Sequence, residues 1–379
     1  MQSQLQQLRD ELRARFPERQ EVIDGTLAAL LIREHVLFLG PPGTGRSSLV
    51  RALGQAIGAT YFERVLTRHT MPEELLGPVS LQAIEDGSLT HHITTGMLPE
   101  AHLALLDNVS SASSSVLNIL LPLMDERVFL NDGAPVPVPL ISLFGTMTEL
   151  PEDHAKESLL DRFLLRFEVD YLQRPGSFRD VLTTPDPTTS SVLGMKVLCA
   201  MHADITNVKV TADTLEAIVV LRDVLKNEGL VASDRRWKKL LRLVQAAAFL
   251  AGEEQTSPED LTILVDVVWR HPRERPRLSR LVTKLINPAV FQANEVLEDA
   301  RQAAAQAQAL RTQHWRAYVA QAARVLLMLR AQVEMLVRLS ESASRRARLV
   351  IDDAVTELNE LHAELTRDVH ANQGLKLLK

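Results

Sequence analysis

The spacing of apolar positions changes character twice along the chain. Up to about Leu172, short apolar runs alternate with amphipathic helical stretches, the pattern of buried strands in a parallel α/β sheet. Strands are predicted at Val36–Leu39, Ala104–Asp107, Leu140–Gly145 and Leu164–Val169. Gln173–Ser191 is rich in Pro, Thr and Ser and reads as a linker. Helical spacing resumes over Leu193–His202, Thr211–Asn227 and Asp234–Ala251, and Ser257-Pro258-Glu259-Asp260 supplies a cap and a proline for another short helix. After Pro288 there is neither Gly nor Pro until Gly374, which favours long helices. Val319, Ala322, Leu326, Leu329, Val333 and Leu336 recur at alternating steps of three and four, as do Ile351, Ala354, Leu358, Leu361 and Leu365. Two helices packed as an antiparallel coiled hairpin, turning near Ser340–Ser344, are expected there. The domains predicted are a nucleotide-type αβα core at 1–172, a linker at 173–191, an all-helical domain at 192–284 and the helical hairpin at 285–379.

One loop carries chemistry. Gly40-Pro41-Pro42-Gly43-Thr44-Gly45-Arg46-Ser47-Ser48 follows the apolar run Val36-Leu37-Phe38-Leu39 and leads into a helical pattern. It fits G-x-x-x-x-G-K-[ST] with Arg46 in the lysine position. Glycines let such a loop turn tightly, so that backbone N–H groups and a helix N-terminus converge on phosphate oxygens. Arg46 keeps the positive charge but as a wide planar fork rather than a compact ammonium. Such a loop needs a partner strand ending in an acid that holds Mg²⁺, and Leu103-Ala104-Leu105-Leu106-Asp107 supplies it. With Ser47, Asp107 forms the expected Mg²⁺ site. The next residue is Asn108, an amide that can orient a water but cannot take its proton, so general-base help of about 10²–10⁴-fold is missing.

These residues resemble the MoxR branch of the AAA+ ATPases, and within it the RavA-like subgroup, over about Leu8 to Arg270. The resemblance also rests on Thr67–Pro78, Thr95-Gly96-Met97-Leu98-Pro99-Glu100-Ala101, Val116–Arg127, Glu149-Leu150-Pro151-Glu152, Leu160-Asp161-Arg162-Phe163 and Ser233–Lys239. It implies an αβα nucleotide domain with a helical lid, ATP/ADP and Mg²⁺ as ligands, a homo-oligomeric ring, expected to be hexameric, and a von Willebrand factor A domain protein as partner. It makes Arg162 the finger that reaches a neighbouring subunit's nucleotide, with Arg166 as the alternative. It makes Arg235 the lid arginine that senses the γ-phosphate, with Arg236 next. At the polar position ending the fourth strand, usually Asn in the family, alignment places Thr148, with Thr146 close by. Arg46, Asn108 and Thr148 are thus three departures, all on the hydrolysis machinery. Ser80–Ile93 and Phe129–Val138 read as β-hairpins around turn dipeptides, either pointing to the pore or substrate face or lying plainly on the surface.

Two functions stay open from sequence: a chaperone-like ATPase ring with weak hydrolysis that remodels or matures a partner protein, and a nucleotide-binding pseudo-ATPase scaffold that organises partners without turnover. A nucleic-acid remodeller ranks below both, because a net charge of −6 over 379 residues leaves no overall basic footprint, although Arg235–Lys239 and Arg270–Arg280 are locally basic. The single cysteine, Cys199, excludes an intramolecular disulfide. His91-His92 lacks a metal-ligand pattern and reads as a solvated pair. A polar N-terminus without a signal-peptide core, and no long apolar run, place the chain in the cytoplasm. The C-terminal hairpin has two readings, stabilising itself or an oligomer, or docking a partner.

Overall fold

The alternation of apolar runs and amphipathic helices produces, in a computed structural model, the αβα core expected. The structure describes residues 2–80, 91–151, 157–183, 193–311 and 314–376. The chain divides into two compact units, Met1–Arg275 and Pro276–Lys379.

In the first unit, α1 (Gln2–Arg15) and α2 (Gln20–Ile32) precede β1 (His35–Leu39), followed by α3 (Arg46–Ile57), β2 (Tyr61–Val65) and the short α4 (Glu73–Leu76). Then come β3 (Leu103–Asp107), α5 (Ser114–Asp125), the hairpin β4 (Val128–Asn131) and β5 (Ala134–Pro137), β6 (Ser142–Met147), α6 (Glu157–Arg162) and β7 (Phe163–Glu168). The five long strands pair in parallel in the order β2-β3-β6-β1-β7. β1 and β6 are buried along their whole length and β3 up to Asp107, as continuous apolar runs in a sheet covered on both faces should be. β2 escapes a reading by apolar runs because only Phe62 in it is buried, whereas β7, at the other edge of the sheet, is buried from Phe163 to Phe167. The Phe129–Val138 hairpin forms, with Asp132 and Gly133 at positive φ in its turn. The other hairpin has its base in place, Val79 bridging His92, while its tip, residues 81–90, lies outside the described residues.

The stretch read as a linker begins instead with a helix, α7 (Pro175–Thr183). The Glu18 carboxylate accepts the N–H groups of Gln173 (2.8 Å) and Arg174 (2.9 Å) just before it, and that local anchor overrides the composition. Residues 184–192 lie outside the described residues. The helical domain follows with α8 (Met195–Asn207), α9 (Ala212–Asn227), α10 (Asp234–Leu250) and α11 (Val265–Val268). Thr211 and Ser233 cap α9 and α10 through their hydroxyls, and Ser257 with Asp260 forms a reciprocal capping box. α10 lies against α2, which joins this domain to the core.

In the second unit, after α12 (Arg275–Ile286), which spans the boundary, the expected hairpin is present as α14 (Trp315–Ser342) and α15 (Arg345–Lys376), turning at Ala343–Ser344. A third helix, α13 (Pro288–Ala309), packs along both, making a three-helix bundle around Ala300, Tyr318, Leu329, Leu336, Ile351 and Leu358. The alanine-rich stretch of α13 gives close helix approach without the leucine spacing that marks a hairpin partner. Among the described residues no helix is long and apolar enough to cross a membrane.

Candidate nucleotide-binding site

Because all five core strands run one way, their C-terminal ends share one edge, and that edge gathers the glycine loop after β1, Asp107 and Asn108 after β3, and Thr146–Thr148 at the end of β6. Gly40 takes φ 139, where its N–H donates to Met147 O (3.1 Å), and a Cβ there would lie 2.1 Å from Val169 O. Only glycine fits between these strands. Gly43 turns at φ 80 with nothing within 4 Å of where a side chain would stand, so the loop's face is open. Thr44 ties the loop to itself, its hydroxyl donating to Pro41 O (3.2 Å), while Pro42 and Ser48 are exposed at the rim.

Gly45 is the N-cap of α3 and offers no side-chain cap. The first intrahelical bond of α3 is Leu49 N–H to Gly45 O, which leaves the N–H groups of Arg46, Ser47 and Ser48 without helical partners. Orphan donors at a helix N-terminus, beside a hydroxyl at Ser47 and a carboxylate at Asp107, are a donor set that fits a polyphosphate and a hard divalent cation.

Arg46 faces protein rather than the open loop. Its Nη1 donates to Met147 O and its Nη2 to Pro41 O, both at 3.1 Å, so the guanidinium ties the end of β6 to the loop. A lysine ammonium could not span both carbonyls in one plane. Burial lowers its pKa and the Asp107 charge counters that, leaving it a cation. Thr146, buried, donates its hydroxyl to Asp107 Oδ1 and accepts the N–H of Asn108 (3.2 Å). Thr148, by contrast, is exposed one residue past the strand, so the threonine in contact with the acid is Thr146.

Asn108 is held by its own turn. It sits at φ 59, a conformation Asn tolerates better than most residues, and its amide donates to Ser111 Oγ (2.8 Å) while accepting from Ser110 Oγ (3.0 Å).

The two arginines assigned by resemblance meet at the other edge of the sheet. Arg162 directly precedes β7, and its Nε donates to Asp125 Oδ2 (3.0 Å) while its Nη1 donates to Ser158 O (2.6 Å). Arg235, on α10, donates to Asp125 Oδ1. Asp125 ends α5 beside Met124 and Arg127, whose groups bond to residues at the starts of β1 and β6. With strands of about five residues at ~3.3 Å each, this edge lies about 16 Å from the glycine loop, beyond the reach of either side chain. Burial pushes the Asp125 carboxyl up, but Arg235 and Arg162 outweigh it and hold it below the ordinary range. No motif marks Asp125 in the sequence, although it lies within the matching stretch Val116–Arg127.

Arg166 and Arg236, the two alternatives, are buried. Arg236 donates to Val267 O (2.8 and 3.1 Å), Phe163 O (3.0 Å), Leu164 O (2.8 Å) and to Asp161 through both its carbonyl and its carboxylate. Arg166 donates to Trp269 O (2.9 Å) and Leu160 O (3.0 Å), and burial, then the Arg236 charge, brings it down to about 9. Both bolt the helical domain to β7 through carbonyls. His92 is likewise tied to backbone, Nδ1 lying 2.7 Å from Gly77 O.

Residues 3–190 match the family described as the MoxR domain in the MoxR-vWA-beta-propeller ternary systems, and residues 213–282 match the AAA lid domain. An uncharacterized protein of Methanocaldococcus jannaschii is 37% identical over 289 residues, 75% of this chain and 76% of its own. MoxR of Paracoccus denitrificans is 26% identical, covering 73% of this chain and 95% of its own, and chaperone MoxR1 of Mycobacterium tuberculosis is 25% identical over 66% and 70%. A crystal structure from Cytophaga hutchinsonii shares the fold at a TM-score of 0.61 and 16% identity, covering 75% of this chain and 94% of that one.

Proposed function

Because this chain belongs to the MoxR-type AAA+ ATPases, we propose that it binds ATP·Mg²⁺ in the loop Gly40–Ser48, assembles into a hexameric ring, and works as a slow, chaperone-like remodeller of a partner protein. The observation that carries this is the division of labour at the strand ends: an open glycine loop and uncapped helix N-terminus stand ready for phosphate, while Arg46 and Asn108 are bonded to protein. The N–H groups of 43–48 hold the phosphates, and Ser47 and Asp107 hold Mg²⁺, which when bound neutralises charge on the β- and γ-phosphates. Thr146 orients Asp107. Asn108 positions water at best, so turnover is slow. Arg162 and Arg235, being remote from their own loop, serve the nucleotide of a neighbouring subunit.

The partner we propose is a von Willebrand factor A domain protein, supported by the ternary system in which the matching domain is described, and we place the chain in the RavA-like subgroup and in the cytoplasm. A second reading, a pseudo-ATPase scaffold without turnover, is favoured by one observation: every hydrogen-bonding group of the Asn108 side chain is engaged by its own turn and by Leu66 O.

Steady-state phosphate release decides between them. Slow release that is lost in Arg162→Ala supports the remodeller. Tight ATP binding with no release, and release gained by Arg46→Lys with Asn108→Glu, supports the scaffold. Absence of nucleotide binding overturns both.

A further inference from the structure

Three elements of the first unit converge on one carboxylate at the sheet edge opposite the glycine loop. Asp125 ends α5, Arg162 ends α6 in the core, and Arg235 lies in the first turn of α10 in the helical domain. The two arginines divide the carboxylate between them, Arg235 on Oδ1 and Arg162 on Oδ2 at 3.0 Å. Neither is buried away, the side chains being 22% exposed for Arg162 and Asp125 and 43% for Arg235. Two cations on one anion leave a surplus positive charge at the surface. The other nearby carboxylates, Glu34 and Asp161, do not remove it, being paired with Lys239 at 2.6 Å and with Arg236 at 3.2 Å.

We propose that Asp125 is a positioning residue that holds Arg162 of the core and Arg235 of the lid side by side, presenting them as one two-armed anion clamp to the nucleotide of a neighbouring subunit. This rests on the reading above that both arginines act between subunits. Each guanidinium has five N–H donors and Asp125 takes only some of them, so donors remain for phosphate oxygens. Pinning the long side chains beforehand removes much of the rotamer entropy that a free arginine would lose on binding. The shared carboxylate also makes the clamp span two domains. A phosphate that engages one arm therefore finds the other within reach, and the lid is held to the core at the edge where the neighbour docks.

Sedimentation velocity of the full chain across a series of ATP·Mg²⁺ concentrations tests it, reading the concentration that gives half-maximal oligomer. Asp125→Asn should raise that concentration about tenfold, since it loses the ionic part of two partly exposed pairs, while Asp125→Glu recovers most of the loss. The melting temperature of Asp125→Asn should stay within about 3 °C of wild type, so that the change in assembly is not a loss of folded protein. If Arg162→Ala weakens assembly but Asp125→Asn assembles as wild type, the positioning role is overturned. Assembly of Asp125→Asn at lower ATP also overturns it, because Asp125 would then be restraining the arginines. If Arg162→Ala and Arg235→Ala both assemble as wild type, or wild type shows no ATP-dependent assembly, the reading of the arginines as intersubunit groups fails instead.

Discussion

Replacing Arg236 by methionine separates a structural arginine from a phosphate-sensing one. The side chain is only 6% exposed, and its guanidinium is the hydrogen-bond donor to Val267 O, Phe163 O and Leu164 O inside the joint between β7 and the helical domain. Methionine fills comparable space but leaves those three carbonyls without this donor. At about 1–1.5 kcal/mol for each buried acceptor left unmade, the loss is about 3–4.5 kcal/mol. Asp161, 41% exposed, rehydrates and adds little. For a unit of this size that corresponds to a fall of roughly 10 °C in the melting midpoint. Arg235→Met, at the exposed end of the same helix, removes an ion pair of about 0–1 kcal/mol and should lower the midpoint by no more than about 3 °C. Circular dichroism melts of the two variants and of Arg236→Lys give the comparison. Lysine keeps the charge but cannot span the carbonyls, so it should fall between wild type and methionine. An Arg236→Met protein that melts with wild type yet loses ATP-dependent assembly would falsify the structural assignment and make Arg236 the sensing residue.

Other outcomes follow from the same geometry. Gly40→Ala forces a Cβ onto Val169 O at φ 139 and should weaken binding of a fluorescent ATP analogue at least about tenfold; unchanged affinity would mean that the loop does not cradle the nucleotide. Burial raises the Asp266 carboxyl to about 7 despite its 3.1 Å contact with Arg275. The folded state thus keeps a proton that the unfolded state gives up near pH 4, so this contribution is complete below about pH 4 and is lost as pH rises through about 7. Urea titrations should accordingly show Asp266→Asn gaining on wild type between pH 4.5 and 7.5, and a constant difference across that range refutes the assignment. Leu329→Ala, in the core of the three-helix bundle, should cost about 2–5 kcal/mol of bundle stability while ATP affinity is unchanged; a parallel loss of affinity would show the two units to be coupled.

What the sequence reveals and what it hides divide along physical lines. β1, β3, β6 and β7 are readable because strands covered on both faces become apolar runs, whereas edge strand β2, with Glu63 and Arg64 at its surface, has no such run. The glycine loop is readable because its geometry is local: a strand, positive-φ glycines and a helix start follow one another in the chain. The direction of Arg46 is not local, since it depends on where β6 ends beside β1. Similarly, sequence alignment favours Thr148, but the point where β6 ends decides that Thr146, still within the strand beside β3, meets Asp107. Asp125 is hidden altogether, because its partners come from helices 37 and 110 residues away. The burial of Arg236, next to exposed Arg235, follows from helical rotation against β7 and could not be told from two adjacent arginines.

The most direct measurement incubates purified protein with radiolabelled ATP and Mg²⁺, recovers the bound nucleotide by rapid filtration, and follows its identity with time. The arrangement of Arg46, Asn108 and the open loop predicts near-stoichiometric nucleotide that remains mostly ATP while the Arg46→Lys, Asn108→Glu double variant has converted its share to ADP. Retention of no nucleotide, or conversion by wild type as fast as by the double variant, would contradict a loop that binds well and hydrolyses poorly.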